Sequence, residues 1–316
     1  MVIYTINRII QLIPVLLILS IIVFSFVHLL PGDVIDVLAG EENIEDPEVR
    51  AALEKEFGLD KPVYVQYLVW LGNVVRGNFG KSLVTRRPIA LELFDRIPAT
   101  MYLALVSIAI AMVISIPLGT LAAVKRNTFV DYIAQTTSLI GISIPEFWLA
   151  IMMILFFSLY LGWLPSSEYY SPLDNLGKSL KHLILPAIAI GFRQAAYTTR
   201  LTRSSMLDEV NREYVDTARS LGLPERKVIY KYTLRNALIP TLTISGIQLY
   251  QLLGGTVVIE TIFAWPGIGR AIFEAIVARD FPLIQAGVLV LGTFAVTINL
   301  LVDLMYRVLN PRVRLS

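Results

Sequence analysis

The sequence predicts an all-α integral membrane protein with six transmembrane helices. Of its 316 residues, 55% are apolar and only 16% are charged, which is far from the balance of a soluble domain. Several uncharged stretches reach the ~20 apolar residues that a helix needs to cross the hydrocarbon core. Helices are expected because a spanning segment must satisfy its backbone hydrogen bonds internally.

The expected spans follow one another in chain order. The first has no charge and is too long for the apolar part of a signal peptide, so we interpret it as a retained anchor. Within the third, Pro145 removes a backbone donor, and we expect a kink there inside a single span. The six spans are residues 9–30, the stretch between Arg96 and Lys125, the stretch from Asp131 to about Trp163, and residues 183–202, 239–259 and 281–302.

A shorter apolar stretch, residues 63–75, is interrupted by Gln66 and Asn73 and ends at Arg76. It is too short to cross a membrane comfortably, so we interpret it as an interfacial or packed helix.

Lys and Arg residues predict the orientation of the chain. They cluster between spans two and three, between spans four and five, and after span six, and an even number of spans places all three segments on one side. By the positive-inside rule that side is the cytoplasm, with both termini there and residues 31–98 facing outward. These basic residues are Lys125, Arg126, Arg200, Arg203, Arg212, Arg219, Arg226, Lys227, Lys231, Arg235, Arg307, Arg312 and Arg314.

Composition and motifs argue against several functions. Without cysteine the chain has neither a disulfide framework nor a thiolate metal site. It lacks His-Glu-x-x-His and Gly-x-Ser-x-Gly, so we do not expect an enzyme. Residues 76–82 resemble a phosphate-binding loop superficially, but Val75 stands where that loop requires glycine. A secondary transporter usually carries acids within its spans and internal repeats, and neither is evident here.

The segment at 206–235 is too charged to enter the bilayer, yet four apolar residues in it recur at helical spacing: Val210, Tyr214, Ala218 and Leu221. We expect this amphipathic helix to stop at Gly222, which can take the left-handed conformation. Pro224 then favours the start of a second helix. The alternative is a single amphipathic helix resting on lipid.

The same segment resembles a known family. Asp216-Thr217-Ala218, followed three residues later by Gly222, is similar to the Glu-Ala-Ala-x-x-x-Gly loop of binding-protein-dependent ABC importer permeases. In that family the loop is the coupling helix, which sits in a groove of the ATPase subunit. The resemblance therefore implies that small Thr217 and Ala218 let a partner approach. The residues expected to couple to the ATPase are Glu213, Asp216, Thr217, Ala218, Arg219, Gly222, Leu223 and Pro224.

Longer segments resemble the dipeptide, oligopeptide and nickel branch of that family. The general family often has Leu-Pro where this chain has Leu234-Arg235, with Pro240 further on, and that departure is itself typical of the branch. The matching segments are Leu30-Pro31-Gly32-Asp33, Gly58-Leu59-Asp60-Lys61-Pro62, residues 195–197, 200–206 and 233–240, and residues 260–270.

This resemblance implies a type I ABC importer permease fold with an extra N-terminal span. The expected domains are an anchor helix at 1–30, an extracytoplasmic segment at 31–98, and a permease core with five spans at 99–316. The chain would be a peptide permease of the prokaryotic inner membrane that works by alternating access. Nickel chelate and oligosaccharide remain open as substrates.

The same family implies the partners. We expect a homologous second permease, two ATP-binding subunits that hold the ATP and Mg²⁺, and an extracytoplasmic solute-binding protein. No cofactor, metal or nucleic acid is expected in this chain.

Three polar residues within the spans are candidates for the translocation path. A charge at bilayer depth is costly, so Arg193 either lines the path or reaches the headgroups by snorkelling. Gln248 and Gln251 either face a polar cavity or bond to a neighbouring helix. For Glu146, capping of a helix start near Pro145 is favoured over a role in transport.

The outer turn after span five contains Glu260, Trp265, Pro266 and Gly267. Proline and glycine enforce a tight turn beside an aromatic suited to an interface. It is either a rigid turn with an aromatic anchor or a contact for the protein that delivers the substrate.

Overall fold

The computed structural model describes residues 2–29 and 60–309, and these form helices joined by short turns. Within those two ranges the only β pairing is an isolated bridge between Lys81 and Pro88. The helices are α1 (Val2–Leu29), α2 (Val63–Val75), α3 (Ile89–Val124), α4 (Phe129–Ser143), α5 (Glu146–Met153), α6 (Leu176–Val210), α7 (Glu213–Ser220), α8 (Glu225–Lys227), α9 (Leu234–Gly255), α10 (Val257–Ile262), α11 (Ile268–Val277) and α12 (Phe281–Leu309), with π-helical segments at Ile154–Tyr160 and Val228–Thr233.

The described part of each predicted span is largely helical, although not all of these helices are strongly apolar. By length and hydropathy alone, α3 and residues 281–302 of α12 can cross a membrane, and the bent pair of α4 with Glu146–Tyr160 makes a third candidate. The described apolar part of α1 is the shorter stretch Ile10–Phe26. Helices α6 and α9 are not among these candidates: α6 carries Lys181, Arg193 and Arg200, and α9 contains Gln248 and Gln251.

The break at Pro145 is sharper than the predicted kink. Helix α4 ends at Ser143, α5 begins at Glu146, and the pair is bent by 101°. Ile144 is extended, with φ −78° and ψ 126°, which is the conformation that a following proline imposes. Pro145 therefore separates two helices.

The chain divides into two compact units, Met1–Pro98 with Pro266–Val296 and Ala99–Trp265 with Thr297–Ser316. In the first, Ile89 and Leu93 join a buried apolar cluster with Ile272 and Phe281. The buried carboxylate of Asp280 accepts a hydrogen bond from the hydroxyl of Ser82 in this unit.

The predicted short helix at 63–75 is present as α2 in the first unit, with the expected bounds. None of its residues is fully buried, yet Tyr67 packs edge-on against Phe24 of α1 and shares a hydrogen bond with Ser20. Tyr64 and Leu68 remain exposed. The segment Leu30-Pro31-Gly32-Asp33, which resembles the permease family, lies outside the described residues.

In the second unit, α6 is the central helix, and small residues let its neighbours approach it. A side chain at Gly191 would meet the backbone oxygen of Ser107 on α3. Gly141 of α4 lies just as close to Ala196. This close packing holds α6 and the segment that follows it in a defined position.

Candidate functional site

The candidate site is the segment at residues 206–235, which we call the elbow. It contains the end of α6, the short helices α7 and α8, and the π-helical turn that leads into α9. The predicted helix-turn-helix is therefore present. Its first helix, however, begins at Glu213, because the chain turns at Asn211 and Arg212 after α6 ends.

The turn between α7 and α8 is a Schellman motif built on Gly222. This glycine has φ +73°, and its N–H donates to the carbonyl of Arg219 at 2.9 Å. The N–H of Leu223 reaches back to the carbonyl of Ala218 at 3.4 Å, which completes the pattern. Pro224 immediately precedes α8, and its carbonyl accepts from the N–H of Lys227. The sequence predicted both features.

The buried face of α7 differs from the predicted stripe. Val215 and Ala218 pack with Val228, and Leu223 covers them. Leu221 is 74% exposed and Tyr214 is 37% exposed, so neither belongs to this buried face. The prediction was wrong because it treated 206–221 as one helix, whereas the turn at residues 211–212 resets the helical phase.

Ala218 therefore faces the elbow's own core. The exposed side chains of α7 and of its C-cap include Glu213, Asp216, Thr217, Ser220 and Leu221.

An arginine joins the two short helices on the exposed side. The guanidinium of Arg219 lies 3.4 Å from Asp216 and donates to Glu225 of α8 at 3.0 Å. The bond to Glu225 raises the pKa of Arg219 further above its ordinary value, so its charge is permanent.

Side chains at the base of the elbow attach it to three long helices. Met206 at the end of α6 packs with Ile229, with Ala237 of α9 and with Ala123 at the end of α3. The hydroxyl of Tyr214 donates to Glu209 at 2.6 Å and accepts from Asn236 at 3.1 Å. Burial raises the pKa of Tyr214, so it stays protonated. The elbow is therefore fixed to the ends of α3 and α6 and to the start of α9.

A buried ion pair lies just before the elbow, and the sequence analysis did not identify it. Arg203 of α6 donates to both oxygens of Asp131 in the first turn of α4, at 2.6 and 2.8 Å. The same carboxylate accepts from the backbone N–H of Asn127 and from Gln135. Asp131 is 1% exposed, and its partners satisfy it well. Only the proximity of the two helices reveals this pair.

The three path candidates have different surroundings. Arg193 lies 3.5 Å from Glu146 of α5, and its side chain is still 56% exposed. Glu146 does not cap the start of its helix with its side chain. Gln248 is buried and accepts a hydrogen bond from Thr198 of α6, which favours the helix-bonding alternative for it. Gln251 is exposed.

The outer turn at the end of α10 is closed. Trp265 is fully buried, and its indole N–H donates to the carbonyl of Ala99 at 2.9 Å. Glu260 is fully buried too and accepts from Thr100 at 2.9 Å. This burial favours the anchor alternative for both residues. Pro266 is half-buried and Gly267 is buried.

The described residues offer no obvious reaction centre. No group of three or more His, Asp or Glu side chains in the two described ranges could hold a metal ion. What the second unit offers is a charged elbow that packs against the ends of long helices.

Comparison with protein families gives two matches that together cover nearly the whole chain. Residues 115–315 match the model described as binding-protein-dependent transport system inner membrane component. Residues 1–104 match the N-terminal model of the same kind of membrane component.

Among curated proteins, the chain is similar to several permeases. It is 41% identical to the dipeptide transport system permease protein DppB of Alkalihalophilus pseudofirmus, covering 98% of this chain and 99% of that protein. It is 40% identical to the glutathione transport system permease protein GsiC of Escherichia coli K12, covering 98% of each. The di/tripeptide transport system permease protein DppB of Pseudomonas aeruginosa is also 40% identical, over 96% of each.

Solved structures give the fold. A chain of the MetNI methionine ABC transporter in an inward-facing conformation superposes with a TM-score of 0.57 at 20% identity, covering 69% of this chain and 96% of that one. A chain from an amino acid ABC transporter structure superposes with a TM-score of 0.52. These likenesses confirm the predicted ABC importer permease fold.

Proposed function

Because the chain belongs to the family of binding-protein-dependent transport system inner membrane components, the permeases of ABC importers, we propose that it forms half of a passage through which peptides enter the cell. As a permease it is a transport subunit of the inner membrane and not an enzyme, as the sequence predicted. The other half would be a homologous second permease. Two separate ATP-binding subunits would hold ATP and Mg²⁺, and an extracytoplasmic solute-binding protein would deliver the substrate.

The observation that carries this mechanism is the construction of the elbow. Arg219 bridges α7 and α8, and the Schellman turn fixes the angle between them. The cluster around Met206 ties the elbow to α3, α6 and α9. A pull on the exposed face of α7 is therefore transmitted to three long helices and not absorbed by a flexible loop.

Each step of alternating access has a place on this chain. ATP binding would draw the ATP-binding subunits together, and each would displace the elbow of its permease. The face that meets the ATP-binding subunit would contain Glu213, Asp216, Thr217 and Leu221, with Gly222 and Pro224 shaping the turn. Leu221 is an exposed apolar residue of this face and is suited to insertion into a groove.

The curated relatives support peptides as the substrate class, since their names refer to dipeptides, di/tripeptides and glutathione. Nickel chelates and oligosaccharides are the alternatives within the importer class. In such systems the solute-binding protein largely selects the substrate, so the permease has to transport whichever substrate is delivered to it.

We further propose that the elbow and both termini face the cytoplasm. The basic residues support this, since Lys125, Arg126 and the arginines of the elbow share one side of a six-span chain. In this arrangement residues 1–30 are an anchor, residues 31–98 face outward, and the five remaining spans at 99–316 form the core of the permease.

The experiment is uptake of radiolabelled trialanine by the complete complex in liposomes, with the binding protein added outside. We expect uptake that requires internal ATP and both ATP-binding subunits, and that continues when ionophores collapse all ion gradients. Native mass spectrometry of the same preparation should show one copy of this chain for each homologous permease.

Two results would contradict the proposal. Uptake that persists without the ATP-binding subunits and stops with ionophores would indicate an ion-coupled secondary transporter. ATP hydrolysis stimulated by a loaded binding protein, with no uptake of any peptide, would refute the peptide assignment and leave the importer mechanism in place.

A further inference from the structure

One face of α6 carries an uninterrupted polar stripe that packing within the chain does not explain. Arg193, Tyr197 and Arg200 follow at spacings of four and three residues, so they lie within about 60° of one another around the helix. The side chain of Arg193 is 56% exposed, Tyr197 is 49% exposed, and Arg200 is exposed as well. We call these three residues the cationic stripe.

Other faces of α6 have ordinary surroundings. Phe192, Ala195, Ala196 and Thr199 line an apolar cavity of about 290 Å³ together with residues of α3 and α4. Thr198 bonds to Gln248 of α9. The helix therefore already has packing partners on its apolar sides, and the cationic stripe is the side that remains.

The depth of the stripe is fixed by the ion pair before the elbow. Asp131 lies in the first turn of α4, directly after the turn that joins α3 to α4, and Arg203 of α6 binds it there. Arg193 precedes Arg203 by ten residues, which is ~15 Å along the helix axis, or about half the thickness of the hydrocarbon core. This distance argues against the snorkelling alternative for Arg193, since its guanidinium would have to reach across half of the hydrocarbon core to the headgroups.

A guanidinium at this depth needs water or acids around it. Glu146 supplies one acid, at 3.5 Å. Within residues 2–29 and 60–309, Tyr197 and Arg200 have no hydrogen-bond or ion-pair partner. The stripe thus carries two positive charges, and Glu146 supplies only one negative charge beside it. If the stripe faced lipid tails, the remaining positive charge would lie in hydrocarbon.

We propose that the cationic stripe forms one wall of the translocation path and attracts the carboxylate group of the passing solute. This rests on the proposed function, because the path exists only if the chain is a permease. Every peptide carries a terminal carboxylate, so one such wall serves peptides of any sequence. Glu146 is a positioning residue, which holds Arg193 across the path without cancelling the charge of Arg200.

The test uses thiol labelling, because the sequence contains no cysteine that would react in the background. Tyr197→Cys is labelled in the assembled complex with an anionic sulfonatoethyl methanethiosulfonate and with its cationic trimethylammonium counterpart. We expect labelling in at least one nucleotide state and a faster reaction with the anion. Ala195→Cys, two residues away but 5% exposed, should stay unlabelled.

Charge variants of the Tyr197→Cys chain then identify the source of the preference. Arg193→Gln should lower the ratio of anionic to cationic rates about fivefold or more. Glu146→Gln should raise it, which a purely structural role would not do. Arg126→Gln, in the turn between α3 and α4, is the control and should leave the ratio unchanged.

Two outcomes would overturn the inference. An unreactive Tyr197→Cys in every nucleotide state would mean that lipid or the second permease covers the stripe. A reactive thiol whose anion preference ignores Arg193→Gln would mean that the stripe attracts no carboxylate. Neither readout needs a substrate, so they fail separately from the peptide assignment, which depends on trialanine uptake by the unmodified complex.

Discussion

Two helix-ending turns in the second unit share one backbone design and have opposite surroundings. The elbow turn has Gly222 at φ +73°, and the turn after α10 has Ala264 at φ +52°. In both, the next residue donates its N–H back to a carbonyl five positions earlier: Leu223 to Ala218, and Trp265 to Glu260. Yet no atom lies within 4 Å of a Cβ placed at Gly222, whereas Trp265 is fully buried.

The difference shows that a turn motif does not indicate its own use. At the end of α10 the turn places an indole between Tyr102 and Tyr169, where it is a fixed point of the unit. At the elbow the turn leaves Leu221 and one face of α7 exposed, where a partner can reach them. We therefore expect substitutions at the turn after α10 to lower stability and substitutions at the elbow turn to affect coupling.

The largest effect is expected for Trp265→Ala. Removing a buried indole and its hydrogen bond to Ala99 should cost about 3–5 kcal/mol of unfolding free energy. The measurement is the unfolding midpoint of the purified complex in an SDS titration. Trp163→Ala, at a tryptophan that is 68% exposed, is the matched control and should change the midpoint little.

Normal stability together with lost uptake in Trp265→Ala would contradict the structural role assigned to the turn after α10. It would mean that the outer turn opens to contact the binding protein.

The next effect concerns Thr100, which donates to the buried carboxylate of Glu260. Thr100→Val keeps the shape and removes that donor, so we expect a loss of about 1.5–3 kcal/mol, as for hydrogen bonds to charged groups. The same SDS titration measures it. Thr137→Val, on the wall of the apolar cavity, serves as the control and should be neutral or slightly stabilising. Equal midpoints for the two variants would show that Glu260 does not depend on Thr100.

The elbow should respond differently. Gly222→Trp forces a bulky residue into a left-handed backbone and onto the exposed face, so peptides transported per ATP hydrolysed should fall about tenfold or more, equivalent to about 1.4 kcal/mol. Uptake and phosphate release are measured on the same liposomes. Gly162→Trp is the matched control, since Gly162 also has positive φ and open surroundings. If both variants couple normally, the elbow is not the lever.

Local chemistry explains why part of the elbow could be predicted from the sequence. Gly222 and Pro224 act on the backbone beside them, so they predict the turn without any knowledge of the tertiary contacts. The buried face could not be predicted in the same way, because the turn at residues 211–212 moves Val215 into the core in place of Tyr214.

Pairs between distant residues were beyond the sequence. Arg193 and Glu146 each stood out as charges within spans, yet nothing in their spacing of 47 residues predicts a contact. The Asp131 and Arg203 pair spans 72 residues and depends on α4 packing against α6. Long apolar runs in the sequence predict which segments span the membrane. Which helices pack against each other depends on close contacts such as that between Gly141 and Ala196, and these cannot be identified from the sequence.

The smallest effect is an exchange between the two turns. Ala264→Gly removes the strain of a left-handed alanine but also frees the unfolded chain, so unfolding free energy should change by less than about 1 kcal/mol. Gly222→Ala introduces that strain and should cost about 1 kcal/mol. The difference between the two SDS midpoints measures the asymmetry. Ala264, at φ +52°, directly precedes the buried Trp265, and adjacent positions usually couple, so combining Ala264→Gly with Trp265→Ala should produce a non-additive change. If the midpoint shifts of the two single variants add up to that of the double variant, the turn after α10 holds its shape without the indole. Its backbone conformation would then be as independent of buried contacts as that of the elbow turn.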